Sequence, residues 1–299
     1  MKQARWLFLL LFCVITLTPG AQTGAPDKPA PREFKLQPLS LAGEKLVYEA
    51  KISRFPIYAS VGELTFEMVG KAPAPLPPNH IAELGAAGLK NEFKTAESDK
   101  LLHLRAVAIA KGFLVKLFGM SAQDRFETLV DAHDFGARLS FKRIQEGKKN
   151  QLLTAVFDRQ KNAATYVKKD LGKPGPPRES AIKIIPGTLD MLSAIYFLRT
   201  QKLEPGGSFR APIYDEGEQY DIDVNVGARE TVTTDLGKFA TIRVEPGLFG
   251  PGKLISRKGD MTIWVTDDNL HVPVKAIAKT STGTISLVLT RHQKPASAS

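Results

Sequence analysis

Two short acidic segments that contain a histidine are the residues best suited to chemistry. The segment "DAHDFG" holds Asp131, His133 and Asp134, whose oxygen and nitrogen atoms are of the types that bind divalent metals. The segment "TDDNLH" repeats this composition at 266–271. Such residues also favour polar β-turns, and no HxH or HExxH spacing accompanies either segment. We therefore interpret both as turns and predict no metal site.

Motifs for nucleophilic catalysis or phosphate binding are incomplete. "GMSAQ" at 119–123 approaches the GxSxG elbow but lacks the second glycine, and "FGPGK" at 249–253 lacks the GxxxxGK spacing. Cys13, the one cysteine, lies in the leader described below. The sequence therefore predicts no catalytic and no cofactor-binding residue. Carboxylates from distant strands could still converge, so a hydrolase of envelope polymers is kept as the least favoured alternative.

The elements that would position any site are mostly strands. β-branched and aromatic runs recur about every 8 to 12 residues and are separated by short polar turns. In "QYDIDVNV" (219–226) every second residue is apolar, which is typical of a strand with one face on a core. Gly237 fits the positive φ of a hairpin turn at 235–238. This pattern predicts a mainly β fold, an antiparallel curved sheet or incomplete β-barrel.

One helix is predicted within "PGTLDMLSAIYFLRT" (186–200). We expect it to span 188–199, with Thr188 as the N-cap, Asp190 in the first turn and Arg199 in the last turn. Its apolar residues cover an arc of about 220°, so it cannot lie with its back to water. We expect it to be covered on two sides, either as core inside the curved sheet or as the lining of an apolar cavity.

The second alternative defines the candidate binding residues. They would come from the apolar face of the helix and from the apolar segment "GFLVKLFG", 112–119. The predicted ligand-lining residues are Leu189, Leu192, Ile195, Tyr196, Phe113 and Leu117.

The N-terminal segment predicts export. Lys2 and Arg5 precede an apolar run at 6–17, and Pro19 and Gly20 follow it, which is the order of a signal peptide. A helix that spans a bilayer needs roughly 20 apolar residues, so an uncleaved N-terminal anchor is the weaker alternative. The predicted compartment is the periplasm, in which the mature protein would be soluble and at most peripheral to the membrane.

The rest of the chain divides by composition. After a signal peptide at 1–21, a proline-rich segment at 22–42 predicts a flexible linker. Residues 43–290 form the predicted β-rich domain, and 291–299 a tail. The proline and glycine segment at 170–180 is either a long loop or a boundary that subdivides the domain.

The formal net charge of +10 limits the partners. An exported chain is not expected to meet nucleic acid, so the charge indicates either attraction to anionic lipid, lipopolysaccharide or wall polymer, or solubility alone. Of these two interpretations, the sequence favours solubility.

Several segments together resemble an exported bacterial family, domain of unknown function 3108. They include "PGTLDMLSAIYFLRTQKLEPGGSF", "YDIDVNVGARETVTTDLGKFATIRVEP" and "GDMTIWVTDDNLHVPVKAIAKTSTGTISLVL", and the resemblance covers roughly 42–290. It implies a curved, largely antiparallel β structure, similar in shape to half-barrel carriers of lipids and lipoproteins. The family has no established reaction, so the resemblance implies no catalytic residue. The similarity in shape concerns the fold, which alone does not give function.

These observations lead to one favoured hypothesis. We expect a non-catalytic periplasmic protein that binds an apolar or amphipathic envelope ligand, such as a lipid or an acylated polymer, without a cofactor. The alternative is a structural or assembly module of the envelope that binds a protein partner.

Overall fold

The computed structural model describes most of the predicted β-rich region. The described residues are 41–54, 56–71, 101–112, 115, 121–251, 253–255, 258–281 and 283–295. The predicted signal peptide and two of the predicted ligand-lining residues, Phe113 and Leu117, lie outside them.

Fifteen strands and the helix α1 make up the described part of the chain. They are β1 (Lys45–Arg54), β2 (Ile57–Lys71), β3 (Leu101–Ala110), β4 (Gln123–Asp131), β5 (Ala137–Glu146), β6 (Lys149–Asp158), β7 (Ala163–Asp170), β8 (Arg178–Lys183), β9 (Leu189–Asp190), α1 (Met191–Leu198), β10 (Ser208–Asp215), β11 (Glu218–Thr234), β12 (Gly237–Pro246), β13 (Gly259–Thr266), β14 (Pro273–Thr280) and β15 (Gly283–Gln293).

All fifteen strands belong to one sheet. Their order is β8-β7-β6-β5-β4-β3-β2-β1-β15-β14-β13-β12-β11-β10-β9, and every pairing is antiparallel except that of β9 with β10. The first and last strands are neighbours in the middle of the sheet, since Lys45 pairs with Gln293. The predicted mainly β, antiparallel fold is therefore confirmed.

Alternation along the strands separates a core face from a solvent face. In β11, Ile222 and Val224 are buried whereas Asp221 and Asp223 are exposed, as the sequence pattern predicts. The turn that follows is also where it was predicted, with Gly237 at a φ of 118°. Period-two alternation of this kind fixes the register of each strand, because a slip by one residue would turn the apolar side chains to water.

The sheet curls until its β9–β10 edge lies against the inner face of β4 to β7. The backbone N–H of Ala137 donates to the carbonyl of Thr188 at 2.9 Å, which joins the start of β5 to the start of β9. The rings of Phe157 on β6 and Tyr214 on β10 meet edge to face with centroids 5.0 Å apart. The inner face of the curled sheet thereby encloses the main hydrophobic core.

Helix α1 lies within this core, as predicted, but it begins later than predicted. Leu189 and Asp190 pair with Ile213 and Tyr214 of β10, so their backbone is extended and the helix starts at 191. The N-cap is Asp190, and the prediction that Thr188 caps the helix is wrong. The Thr188 hydroxyl instead donates to the Ile185 carbonyl at 2.5 Å.

Two boundaries of the predicted domain also differ in the structure. Strand β15 continues to Gln293 because its last residues pair with the start of β1, so the first residues of the predicted tail belong to the sheet. At the other boundary, Leu41 of the predicted linker is fully buried in the main core. Across 170–180, the neighbouring strands β7 and β8 pair with each other.

Candidate functional site

The apolar face of α1 is covered by side chains of the protein. Leu189, Leu192 and Tyr196 are at most 2% exposed and belong to the main core cluster, and Ile195 packs against that cluster. The Tyr196 ring stacks on Phe135 with centroids 6.2 Å apart. The structure thus brings these four predicted residues together. Their contact with a ligand stays a prediction.

The carboxylate of Asp190 at the N-terminus of α1 accepts three hydrogen bonds. Asp190 is 3% exposed and accepts hydrogen bonds from the backbone N–H of Ser193 at 2.8 Å, from Ser140 of β5 at 2.8 Å and from Thr128 of β4. The Ser193 hydroxyl accepts from the Asp190 backbone N–H, which completes a capping box. This geometry explains Asp190 as a cap that fastens the helix to the sheet.

The C-terminus of α1 carries a buried ion pair. The Arg199 guanidinium donates twice to the Glu44 carboxylate, with one bond of 2.9 Å, and both side chains are 0% exposed. Arg199 also donates to the Leu270 carbonyl at 3.0 Å, and His292 lies 3.1 Å from Glu44. Burial alone would raise the pKa of Glu44, but the hydrogen bonds from His292 and Arg199 outweigh burial and lower it.

The two acidic segments considered as metal sites are turns. Asp134 pairs with Arg159 of the β6–β7 turn and accepts a hydrogen bond from the Gly136 N–H at 2.8 Å. Asp268 accepts from the N–H groups of Leu270 and His271 at 2.9 and 3.1 Å. Within the described ranges, no group of three or more His, Cys, Asp or Glu side chains is arranged to hold a metal ion.

An open groove of about 590 Å³ lies on the outer face of β11 to β14. Two of its lining residues, Arg243 of β12 and Trp264 of β13, pair with each other across the strands. Trp264 also pairs with Lys275 of β14, so the three side chains form a row on neighbouring strands. The Lys275 ammonium lies 5.5 Å from the centre of the indole ring. The indole N–H donates to Glu230 at 2.9 Å, and Arg243 lies 3.2 Å from the same carboxylate. These contacts hold the indole between two cations.

The connection from β12 to β13 closes one end of the groove. The Phe249 ring lies directly on Gly259, where an added Cβ would come within 2.7 Å of the ring. A glycine is therefore required for this close approach. The complete lining is Asn225, Arg243, Glu245, Pro246, Gly247, Leu248, Phe249, Gly259, Asp260, Met261, Thr262, Trp264, Ile277 and Lys279.

The chemistry of this lining is mixed. Phe249, Trp264 and Ile277 offer aromatic and aliphatic surface, while Arg243 and Lys279 offer cations. Two carboxylates also line the groove: Glu245, which lies 3.3 Å from Arg243, and Asp260, which is exposed. An arrangement of this kind can bind a molecule that has both an apolar and a charged part.

Sequence reasoning did not find the groove, although one sign of it was present. Trp264 occupies a position of β13 that faces outward, since its neighbour Val265 is fully buried. Together with Phe249 and Ile277 it forms an apolar patch on the outer face, and such patches can mark a binding site. The groove itself is assembled from residues of four strands and one connection, which no local motif records.

The fold is that of a β-barrel-like protein with an open groove on its outer face. The chain belongs to the family "Protein of unknown function (DUF3108)", whose model matches residues 83–290, well over half of its length. The resemblance to domain of unknown function 3108 is thereby confirmed. Among curated proteins, none matches the sequence significantly.

Solved structures share the architecture. The β-barrel-like protein of domain of unknown function DUF1849 from Brucella abortus superposes with a TM-score of 0.51 at 12% identity, over 86% of this chain and 100% of that one. An exported protein with a YmcC-like fold from Bacteroides fragilis gives a TM-score of 0.27 at 11% identity, over 85% and 96%. A lipoprotein from Parabacteroides distasonis gives 0.33 at 9%, over 87% and 98%. At such identities the first likeness shows the fold alone, and the other two carry no argument.

In the part of the chain that the structure describes, no helix has the length and apolar character needed to cross a membrane, and α1 has only eight residues.

Proposed function

We propose that this protein is a non-catalytic binding protein of the bacterial cell envelope and that it holds an amphipathic ligand in the outer groove. One observation carries the proposal: an open groove of about 590 Å³ combines an aromatic and aliphatic surface with charges of both signs. Binding sites for small molecules have volumes of roughly 300–1,000 Å³ and place a few polar groups among apolar ones. The groove has this size and this composition.

The lining indicates how such a ligand would lie. An acyl chain would contact Phe249, Ile277 and the Trp264 ring, because burial of apolar surface is favourable in proportion to its area. A charged or hydroxylated head would reach Arg243 and Lys279. The ligand class is therefore the one expected from the sequence, a lipid or an acylated envelope polymer. Its proposed site is the outer groove and not the apolar face of the helix.

The groove is a better site than the interior. The side chains of α1 that were expected to line a cavity are packed among those of the sheet. Protein interiors are packed as densely as organic crystals, so a ligand could enter there only if the core were displaced. A ligand can enter the open groove without such a rearrangement.

The location in the envelope rests on the sequence. The leader at 1–21 has the order of a signal peptide, and export to the periplasm follows from this order. An uncleaved leader would anchor the same domain at the membrane, and both locations give the groove access to envelope lipids.

A hydrolase is less well supported by the same groove. Glycoside hydrolysis needs a carboxylic acid that is kept protonated by its surroundings together with a second carboxylate. Of the two carboxylates in the groove, Glu245 pairs with Arg243 and Asp260 is exposed. Both are better suited to accept hydrogen bonds from a bound head group.

Tryptophan fluorescence tests the proposal directly. The chain contains two tryptophans, Trp6 and Trp264, so in a Trp6→Phe chain all indole emission comes from the groove. Titration with lysophosphatidylglycerol below its micelle concentration should give a saturable change in emission. In the same background, Ile277→Asp should weaken binding about tenfold or more, because the ligand would have to desolvate a carboxylate.

The matched control is Val107→Asp, which places the same charge at a half-buried outward position of β3, away from the groove. Native mass spectrometry of protein purified from its own periplasm should show a bound mass that is lost in Ile277→Asp. A titration without saturation, or equal weakening by both variants, would contradict binding in the groove.

A further inference from the structure

The two ends of the curved sheet carry different charges. Because β1 and β15 are antiparallel, the β1–β2 and β14–β15 connections lie at the same end. The antiparallel order then places the β3–β4, β5–β6, β7–β8, β10–β11 and β12–β13 connections there as well. We call this the basic end.

The charge difference is found in the connections themselves. At the basic end, the described connecting residues carry five cations and one carboxylate: Lys111, Lys148, Lys173, Lys253, Lys258 and Glu216. At the opposite end they carry four cations and five carboxylates: Arg159, Lys161, Arg199, Lys202, Asp134, Glu204, Asp235, Asp267 and Asp268. Among the described connecting residues, positive charge is therefore in excess at the basic end and not at the opposite end.

Ion pairs with strand residues do not cancel this excess. Lys111 lies 2.9 Å from Glu63, and Lys173 lies 3.9 Å from Asp170. The two lysines are 51% and 79% exposed, and pairs this exposed contribute little. Their ammonium groups can exchange such partners for anions on a surface that approaches them.

An apolar hairpin tip projects from the basic end. Tyr58 is 70% exposed and Ile57 is 44% exposed, and Pro56 and Arg54 beside them are exposed too. Leaving these side chains in water forgoes the free energy that burial would give. Tyrosine next to aliphatic residues and a cation is typical of segments that enter the head-group region of a bilayer.

We propose that the basic end docks on an anionic lipid bilayer, with the tip at 56–58 inserted between the head groups. Two independent features of the surface match the two parts of such a bilayer. The lysines match its negative surface charge, and the exposed apolar tip matches its apolar boundary. The proposal does not depend on a ligand in the groove.

Docking in this orientation also determines which end of the groove faces the bilayer. The β12–β13 connection supplies Lys253 and Lys258 to the basic end and Phe249 to the wall of the groove. The closed end of the groove therefore faces the bilayer surface.

Cosedimentation of the full chain with vesicles tests the charge component. The protein should bind phosphatidylcholine vesicles that contain phosphatidylglycerol, and binding should weaken as salt is added. The double variant Lys148→Gln/Lys258→Gln should weaken binding roughly 30-fold, if each lysine near the surface contributes about as much as other cations there. The control Lys161→Gln/Lys202→Gln removes the same charge from the opposite end and should change binding by less than about threefold.

A second pair of variants tests insertion of the tip. Ile57→Ser/Tyr58→Ser should weaken binding about tenfold, whereas Leu236→Ser should leave it unchanged. Leu236 is 44% exposed, as Ile57 is, but it lies at the opposite end. Failure to bind anionic vesicles, equal binding to neutral vesicles, or equal losses in a variant and its control would each overturn the proposal. Circular dichroism spectra that match those of the unmodified chain exclude unfolding as the cause.

Discussion

Two ion clusters, one fully buried and one partly buried, fasten the curled sheet, and they differ in how well their charges are balanced. At the first, one arginine and one histidine surround Glu44. At the second, the tip of the β10–β11 hairpin brings Asp215 and Glu216 against Lys142 of β5 and Lys168 of β7. Asp190 also acts on Lys142, so three carboxylates share two lysines.

The pKa shifts of the two clusters have opposite signs. The pKa of Glu44 is lowered because the hydrogen bonds from His292 and Arg199 outweigh burial. Burial raises the pKa of Asp215 and of Glu216, and the charge of Lys142 offsets this only in part. A buried carboxylate thus favours its ionised form only where enough donors and cations outweigh the cost of burial.

The largest expected effect is the loss of the first cluster. Arg199→Met would leave Glu44 buried without its bidentate partner, and we expect the free energy of unfolding to fall by about 3–5 kcal/mol. Urea denaturation followed by circular dichroism measures this change. Arg210→Met is the matched control, because Arg210 is 69% exposed in its pairs with Asp221 and Asp223 and should lose less than about 1 kcal/mol. Similar losses in both variants would show that the Glu44 pair contributes no more than a surface pair.

Loss of a lysine from the second cluster should have a smaller effect. Lys142→Met leaves Asp215 unpaired, but the raised pKa of Asp215 lets it take up a proton, so we expect a loss of about 2 kcal/mol near neutral pH. The loss should become smaller towards pH 5, where less free energy is needed to protonate Asp215. Urea titrations at the two pH values test this. A loss that is independent of pH would mean that Asp215 stays ionised.

The pH dependence of stability should reveal the direction of the pKa shift in each cluster. The pKa of Glu216 is higher in the folded protein than in the unfolded chain, so its contribution falls as pH rises from about 4. Glu216→Gln should therefore stabilise the protein by about 1 kcal/mol near neutral pH, with no gain below pH 4. Glu44→Gln should show the reverse, because the lowered pKa of Glu44 gives stability that is present above its unfolded value and is lost as pH falls. If the stability changes of the two variants had the same pH dependence, the opposite pKa shifts of Glu216 and Glu44 would be contradicted.

The smallest effect is expected where a carboxylate has donors to spare. Ser140→Ala removes one donor from Asp190, which keeps Thr128 and the Ser193 N–H, so we expect a loss of about 1 kcal/mol. Thermal unfolding measures it. A loss as large as that of Arg199→Met would mean that Asp190 belongs with the first cluster.

The sequence predicts the strands and the burial of α1 because both depend on local periodicity. The alternation in β11 and the apolar arc of α1 can each be seen within a short stretch of the sequence. The prediction of Thr188 as the helix cap is wrong because Leu189 and Asp190 pair with β10, and this contact between residues distant in sequence determines where the helix can begin. Tertiary contacts override local helix preferences in this way.

The ion clusters and the groove could not be predicted for the same reason. Glu44 and Arg199 are 155 residues apart, and the row formed by Arg243, Trp264 and Lys275 exists only once β12 to β14 are in register. A single sequence shows the residue types but not their pairings.

The pairing of β1 with β15 has a consequence for folding. Strands β1 to β8 form one meander of sequential neighbours and β10 to β15 form another. Each meander can therefore form by pairing of strands that are adjacent in the sequence. The pairing of β1 with β15, in which Lys45 lies opposite Gln293, must instead close a loop of almost the whole described chain. Closing so long a loop is entropically costly and slow. Until β15 has been synthesised, β1 has an unpaired edge that can pair with other chains. This topology therefore makes completion of the sheet wait for its last strand.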